Sequence, residues 1–305
     1  MTEFLRTEFL RTELSGEFHA VKMDTRPTRF VEESGELVTS FKIRIATELT
    51  DFADLWPRTD RYGRAHCYVF QCADILQVWS DTVGKARGTQ TLFVAVFDDI
   101  GQPLLLFPLG IERDRGIRTL RFLDGGVSDY NAPVVFEPTR TWERHTVERM
   151  WQELIRALPR FDVAIFEKMP ADICGVPNPL VVLGAPSPPS GHFVNITSSW
   201  EEYAAKRLPY KRESSYQRRR LAKSGLLSFT VAETPADRQR ILHATIRQKS
   251  RRYIETRGVD GLNRPGYRHY YIAMAERFTW PGPLLISALE VDGKILATNW
   301  GLVSN

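Results

Sequence analysis

The residues with chemistry to offer fall in a few places. Residues 211–225 read KRESSYQRRRLAKSG, with six Lys or Arg among fifteen positions. Such a density of cations suits an anionic ligand. Ser128-Asp129-Tyr130-Asn131 brings a carboxylate and a phenol together just before Pro133. Asp129 can serve as a polar or basic contact there, and Tyr130 as a stacking wall or proton donor. Lys249, within Arg247-Gln248-Lys249-Ser250-Arg251-Arg252, stands four residues from Tyr253, so the two share a helix face. Trp300 lies near the end of the chain. Each has a plainer reading, which is the stronger one for each residue taken alone. The basic run is the solvated face of a helix, with Leu221 and Ala222 turned to the core. Ser128–Asn131 is an Asx-type turn, and Trp300 is core. Glu167, at a strand end, makes an edge salt bridge rather than serving as a base. His192 and His269 are structural.

Composition narrows the chemistry further. Cys67, Cys72 and Cys174 are odd in number and form no CxxC pair, and the six histidines are scattered. We therefore expect neither a disulfide framework nor a metal site, and a reducing compartment. The net charge of +4 is mild, and no helix-turn-helix, zinc-finger or RNP motif accompanies it. No apolar run reaches the ~18–20 residues that span a bilayer. The N-terminus lacks the apolar core of a signal peptide. A cytoplasmic protein is expected.

These residues need elements to hold them. The first 38 residues contain TEFLRTEFLRTEL, a duplication at a period of five. That period puts Phe4, Phe9 and Leu14 on different helix faces, so residues 1–38 are expected to lie outside the fold. FKIRIAT (41–47) reads as a strand, LTDFADLWPR as the start of a helix stopped by Pro57, and residues 66–83 as a helix. Residues 91–99 and 102–113 are strands joined by Asp98-Asp99-Ile100-Gly101, and 116–123 is a third. In 141–158, Val147, Met150, Trp151, Leu154, Ile155 and Leu158 form one helical stripe. FDVAIFEKM (161–169) is a buried strand, and the Pro/Gly-rich 170–191 reads as a linker. FVNIT (193–197) is a short strand, and Ser198 with Glu201 a capping box. The basic helix ends at Gly225, and a strand follows over 226–233. Two helices come next, then strands at 283–291 and 294–303 joined by Asp292-Gly293.

The element order therefore runs twice. The first pass is strand, helix, helix, three antiparallel strands, helix, strand. The second is strand, helix, helix, strand, strand. This order, with FPLGIERDRGIRTLRFLDGGVSDYNAPVV (107–135), YKRESSYQRRRLAKSGLLSFTVAET (210–234), IRQKSRRYIETRG (246–258) and LEVDGKILATNWGL (289–302), resembles the BioF2-like, or CelD-like, GNAT acyltransferases. Those proteins are relatives of the Fem aminoacyl transferases with two tandem GNAT domains.

The resemblance covers roughly residues 40–305. It implies an α/β (α+β) fold of tandem GNAT-like domains with mixed sheets flanked by helices. The domains would be 39–190 and 191–305, the second entered through the basic helix region 199–224 and incomplete at its C-terminus. It implies transfer of an acyl group from acyl-CoA to an amine or hydroxyl on a small molecule or saccharide, without a metal. Polysaccharide modification is one setting. The catalytic candidates among the residues weighed above are Asp129, Tyr130 and Lys249, and the candidate cofactor contacts are Arg212, Tyr216, Arg219 and Trp300.

One departure concerns phosphate. The GNAT pyrophosphate loop reads Q/R-x-x-G-x-G/A, whereas this chain has Arg121-Phe122-Leu123-Asp124-Gly125-Gly126. The spacing is off by one, and Asp124 sets a negative charge where phosphate would sit. No ordinary CoA site is expected in the first domain. Two readings stand beside the enzyme: a non-catalytic binding remnant, and a Fem-like transferase whose basic helix holds aminoacyl-tRNA.

Overall fold

QTLFVAVF, residues 90–97, is apolar at nearly every position because both of its faces are covered. Leu92, Val94 and Val96 join one buried cluster, while Phe93 and Ala95 join another. A strand buried on both sides loses the alternation of a half-exposed one. The computed structural model describes residues 15–24, 40–192, 198–207 and 211–304. The TEFLR duplication and FVNIT lie outside the described residues.

In chain order the elements are β1 (Ser15–Asp24), β2 (Lys42–Ala46), α1 (Ala73–Trp79), α2 (Lys85–Arg87), β3 (Gln90–Phe97), β4 (Pro103–Asp114), β5 (Ile117–Phe122) and β6 (Val134–Val135). Then come α3 (Arg144–Ala157), β7 (Val163–Pro170), β8 (Asp172–Ile173), β9 (Val176–Pro177) and β10 (Ala185–His192). The chain continues through α4 (Trp200–Arg207), α5 (Lys211–Ala222), β11 (Leu227–Val231), α6 (Pro235–Arg257), α7 (Tyr267–Arg277), β12 (Leu284–Val291) and β13 (Lys294–Leu302).

The larger sheet runs β10-β1-β7-β5-β4-β3-β2, with β6 added to β4. Its neighbours are antiparallel except β5 and β7, which are parallel and paired only at Thr119–Val163 and Leu120–Ala164. Beyond those two pairs the strands part. α3 crosses between β6 and β7 and buries Val147, Met150, Trp151 and Leu154, each burial stabilising by about 1.5–3 kcal/mol. The second sheet is β11-β12-β13, antiparallel, with α6 and α7 packed on it. Its β12–β13 turn has Asp292 and Gly293 both at positive φ, the geometry a two-residue hairpin requires. Thr234 caps α6 by accepting from the Asp237 N–H, Pro235 opens it and Gly258 closes it in the left-handed region.

The two sheets share a core. Trp79, Val83 and Phe93 belong to the same buried cluster as Ile241, Tyr270, Met274 and Ile286. α7 sits on α1 and on the π turn Ser80–Gly84 that links α1 to α2. Gly266, at the start of α7, has φ +79°, and a Cβ there would stand 2.5 Å from the Val83 Cα. Only glycine allows this backbone-to-backbone approach.

Three expectations need adjusting. Residues 1–38 were expected outside the fold, yet Ser15–Asp24 form β1 between β7 and β10. The 170–191 linker holds β8, β9, a 3-10 turn and β10. β10 is a sheet-edge strand, where proline's missing N–H costs no ladder bond. The helix over 66–83 begins only at Ala73 and ends in the π turn, and LTDF makes a single 3-10 turn. All three cysteines are free thiols, Cys67 and Cys72 buried.

Candidate functional site

Where β5 and β7 part, the chain after β5 turns back at Asp124-Gly125-Gly126. Asp124 governs this turn. Its Oδ1 accepts from the Gly126 N–H at 2.9 Å and the Ser128 N–H at 3.1 Å. Its Oδ2 accepts from Asn131 Nδ2 at 3.3 Å and lies 2.9 Å from Lys168 Nζ. Lys168, at positive φ near the end of β7, also donates to the Ser128 carbonyl at 2.8 Å. Asn131, 3% exposed, donates through Nδ2 to the Glu167 carbonyl at 3.0 Å. The backbone N–H groups that would face a phosphate are thus taken by the chain's own carboxylate, which Lys168 neutralises. Asp124 therefore works against a phosphate at this loop.

Beside this loop lies a cavity of about 1000 Å³. The first sheet lines it with Arg121, Asn131, Glu167 and Lys168; α6, α7 and the segment between them supply Tyr253, Arg257, Arg264, Tyr267 and Tyr271. Tyr267 ties the two walls by donating its hydroxyl to the Gly125 carbonyl, while Arg264 Nη1 donates to the same hydroxyl at 3.2 Å. Glu167 pairs with Arg121 at 3.3 Å, an exposed edge salt bridge as the plainer reading had it.

Tyr271 is where several sequence candidates converge. Lys249 Nζ stands 5.5 Å from the centre of its ring, and the Trp300 ring packs against it edge-on at 5.0 Å. Burial pushes the Tyr271 phenol up to about 12, helped by Tyr253, Tyr267 and the charge of Asp129. Asp129 itself is exposed at the loop surface. Tyr130 goes elsewhere: its ring stacks on Tyr68 at 4.9 Å, and its carbonyl accepts from Gln71 Nε2 at 3.0 Å. Burial, then the Asp129 charge, raises the Tyr130 phenol. Tyr216 and Arg219 are exposed on α5 and are not among the residues lining the cavity. The side chain of Arg212 lies outside the described residues. α5 is polar and exposed at every described position except the half-buried Leu221; Ala222, expected to face the core, is exposed.

Tyr253 entered the sequence reading only as a partner for Lys249, and Arg257, Arg264, Tyr267 and Tyr271 not at all. The signal was present in YRHYY (267–271), which follows Pro265-Gly266 and puts Tyr267 and Tyr271 one turn apart.

Residues 210–305 match the family model of the acetyltransferase (GNAT) domain. No curated protein matches the chain. The matched GNAT segment covers α5, β11, α6, α7, β12 and β13, so it supplies the helix wall of the cavity. In the first sheet the parallel β5/β7 pair opens at the site. The architecture is α+β and GNAT-like. GNAT domains use acetyl-CoA or another acyl-CoA as donor. No described helix is long and apolar enough to cross a membrane.

Proposed function

We propose that this chain is a cytoplasmic acyltransferase of the BioF2-like type. It moves an acyl group from acyl-CoA to an amine or hydroxyl on a small molecule or saccharide, with tandem GNAT-like domains over 39–190 and 191–305. The observation that carries this reading is the GNAT match over residues 210–305. The donor belongs to that matched part, because Asp124 occupies the N–H groups of the first sheet's loop. The acceptor belongs in the cavity between the loop and α6–α7.

Acyl transfer needs a group to take the acceptor proton and a donor to steady the thioester oxygen as charge builds on it. For the first task we keep Asp129, a carboxylate exposed on the loop whose Gly126 and Asn131 line the cavity. The Tyr271 phenol stays protonated through the neutral range and keeps its O–H as a hydrogen-bond donor. Lys249 over its ring holds positive charge beside it. Arg212, Tyr216, Arg219 and Trp300 stay as the proposed donor contacts. For Arg219 and Tyr216 this requires the exposed face of α5 to close on the phosphates.

Calorimetric titration of acetyl-CoA and a longer acyl-CoA into the 305-residue chain tests the reading. Micromolar binding is expected. A folded chain that takes up neither thioester would remove it. A Fem-like, aminoacyl-tRNA-dependent reaction is favoured by one feature, the exposed cations Arg218, Arg219 and Arg220 on α5 and Lys223 just after it. It requires tRNA binding that weakens steeply with salt.

A further inference from the structure

The charges around the cavity are unevenly matched. On the first-sheet side three carboxylates each face a cation: Glu112 with Arg87 at 2.7 Å, Glu167 with Arg121 at 3.3 Å, and Asp124 with Lys168 at 2.9 Å. Asp114 also lines that wall, which is therefore slightly negative in sum. The opposite wall carries Tyr253, Tyr267 and Tyr271, and each ring holds a cation at 5.5 Å: Arg257, Arg264 and Lys249 respectively. Among the described residues none of these three cations is in an ion pair with a carboxylate. Other arginines of the same segment are. Arg240 pairs with Glu290 and Asp237, Arg251 with Glu255, and Arg268 with Asp260. The two arginines that line the cavity, Arg257 and Arg264, are thus held by rings and not by acids.

A ring face holds a guanidinium without consuming its N–H donors. Arg264 spends one nitrogen on the Tyr267 hydroxyl, and the remaining donors keep the fork that matches a phosphate or carboxylate. We propose that Arg257 and Arg264, on the tyrosine wall, bind a phosphate group carried by the acyl acceptor, so that the acceptor is a phosphorylated amine or alcohol. The inference rests on the acyl-transfer reading above. Three observations direct it to the acceptor. The anion-binding N–H groups of the facing loop are already filled by Asp124. The cavity, at about 1000 Å³, holds far more than an inorganic ion, up to the scale of a sugar phosphate or nucleotide. Tyr271, which the reading places at the reaction with Lys249 against its ring, lines the same wall as the two arginines.

The test is calorimetric titration of inorganic pyrophosphate and, separately, acetyl-CoA at low ionic strength, where exposed charges are least screened. It uses the full chain and the R257A, R264A and R257A/R264A variants, with R251A as a control outside the cavity. Pyrophosphate binding is expected to weaken about tenfold or more in the double variant. R251A should match the parent, and acetyl-CoA affinity should be unchanged throughout. Equal pyrophosphate affinity in all variants, or none in the parent, overturns the site. Parallel loss of acetyl-CoA binding makes the arginines a donor-phosphate site and overturns the assignment to the acceptor. Arginine-dependent pyrophosphate binding in a chain that ignores acetyl-CoA keeps the anion site and removes the acyltransfer reading instead. R257A alone, at an exposed position, keeps the test valid if R264A disturbs folding.

Discussion

The Tyr267 hydroxyl donates to the carbonyl oxygen of Gly125, 142 residues earlier in the chain, and so fastens α7 to the loop that follows β5. Gly126 next to it has φ +95°, and a Cβ there would stand 2.1 Å from the same hydroxyl. The joint is built for this one contact. Tyr267→Phe removes the bond and keeps the ring. We expect a loss of about 1–2 kcal/mol in urea unfolding. Acyl transfer, once an acceptor is in hand, should fall further than that loss explains, because the cavity walls are no longer tied. Unchanged stability and turnover would show that the bond does not set the geometry.

Gly266→Ala tests the second joint. The new methyl would press on the backbone of Thr82 and Val83, at a φ that L-residues rarely adopt. Neither backbone can give way without moving a helix. A loss of about 2–4 kcal/mol is expected in chemical denaturation. Gly88→Ala, also at positive φ but with open space around it, should cost clearly less, which separates contact from conformation.

Asp124→Ala should loosen the loop without emptying a core position. Two backbone N–H groups lose their acceptor, and the Asn131 amide and the Lys168 ammonium each lose one of two. We expect about 1–3 kcal/mol of destabilisation and faster hydrogen exchange at Gly126 and Ser128. An anion added to this variant should restore part of both, since the N–H groups are left exposed to one. Exchange rates equal to the parent's would show that Asp124 does not hold the turn.

Acid stability should depend on Glu290. Arg240 grips both of its oxygens, at 2.9 and 3.0 Å, on the buried side of β12. The Arg240 guanidinium holds this carboxyl below its ordinary value. A carboxylate depressed in the folded state stabilises above its unfolded pKa, and the contribution fades as pH falls through the folded one. Asp237, held down by Thr234 and Arg240, acts in the same direction. Thermal melts of the parent should therefore lose stability as pH drops below the usual carboxylate range. Glu290→Gln should be less stable at neutral pH by about 1–3 kcal/mol and show a shallower acid slope. A slope identical to the parent's would assign the acid sensitivity to other carboxylates.

What the order of amino acids makes legible is local. The Asp292-Gly293 hairpin, the stripe of α3 and the Thr234-Pro235 start of α6 depend on neighbours within a few residues, and each formed as its pattern required. Asp124 could also be recognised as an acid in a loop that ordinarily meets phosphate. β1 escaped notice because a strand in a charged, Gly-containing segment declares itself only through the strands it joins. β10 escaped because proline-rich sequence becomes a strand only at a sheet edge. The site was half legible. Lys249 and Trp300 were marked by type, yet nothing in their spacing says that both pack on Tyr271, while Asp129 stays on the exposed loop surface. Tyr130, marked by the same reasoning, turned to Tyr68. The sequence alone determined which short segments become helices, strands and turns, because those choices rest on contacts between near neighbours. Only the tertiary structure decided which face of α6 and α7 meets the β5 loop, because Gly266 against Val83 and Tyr267 against Gly125 join residues that chain order keeps far apart.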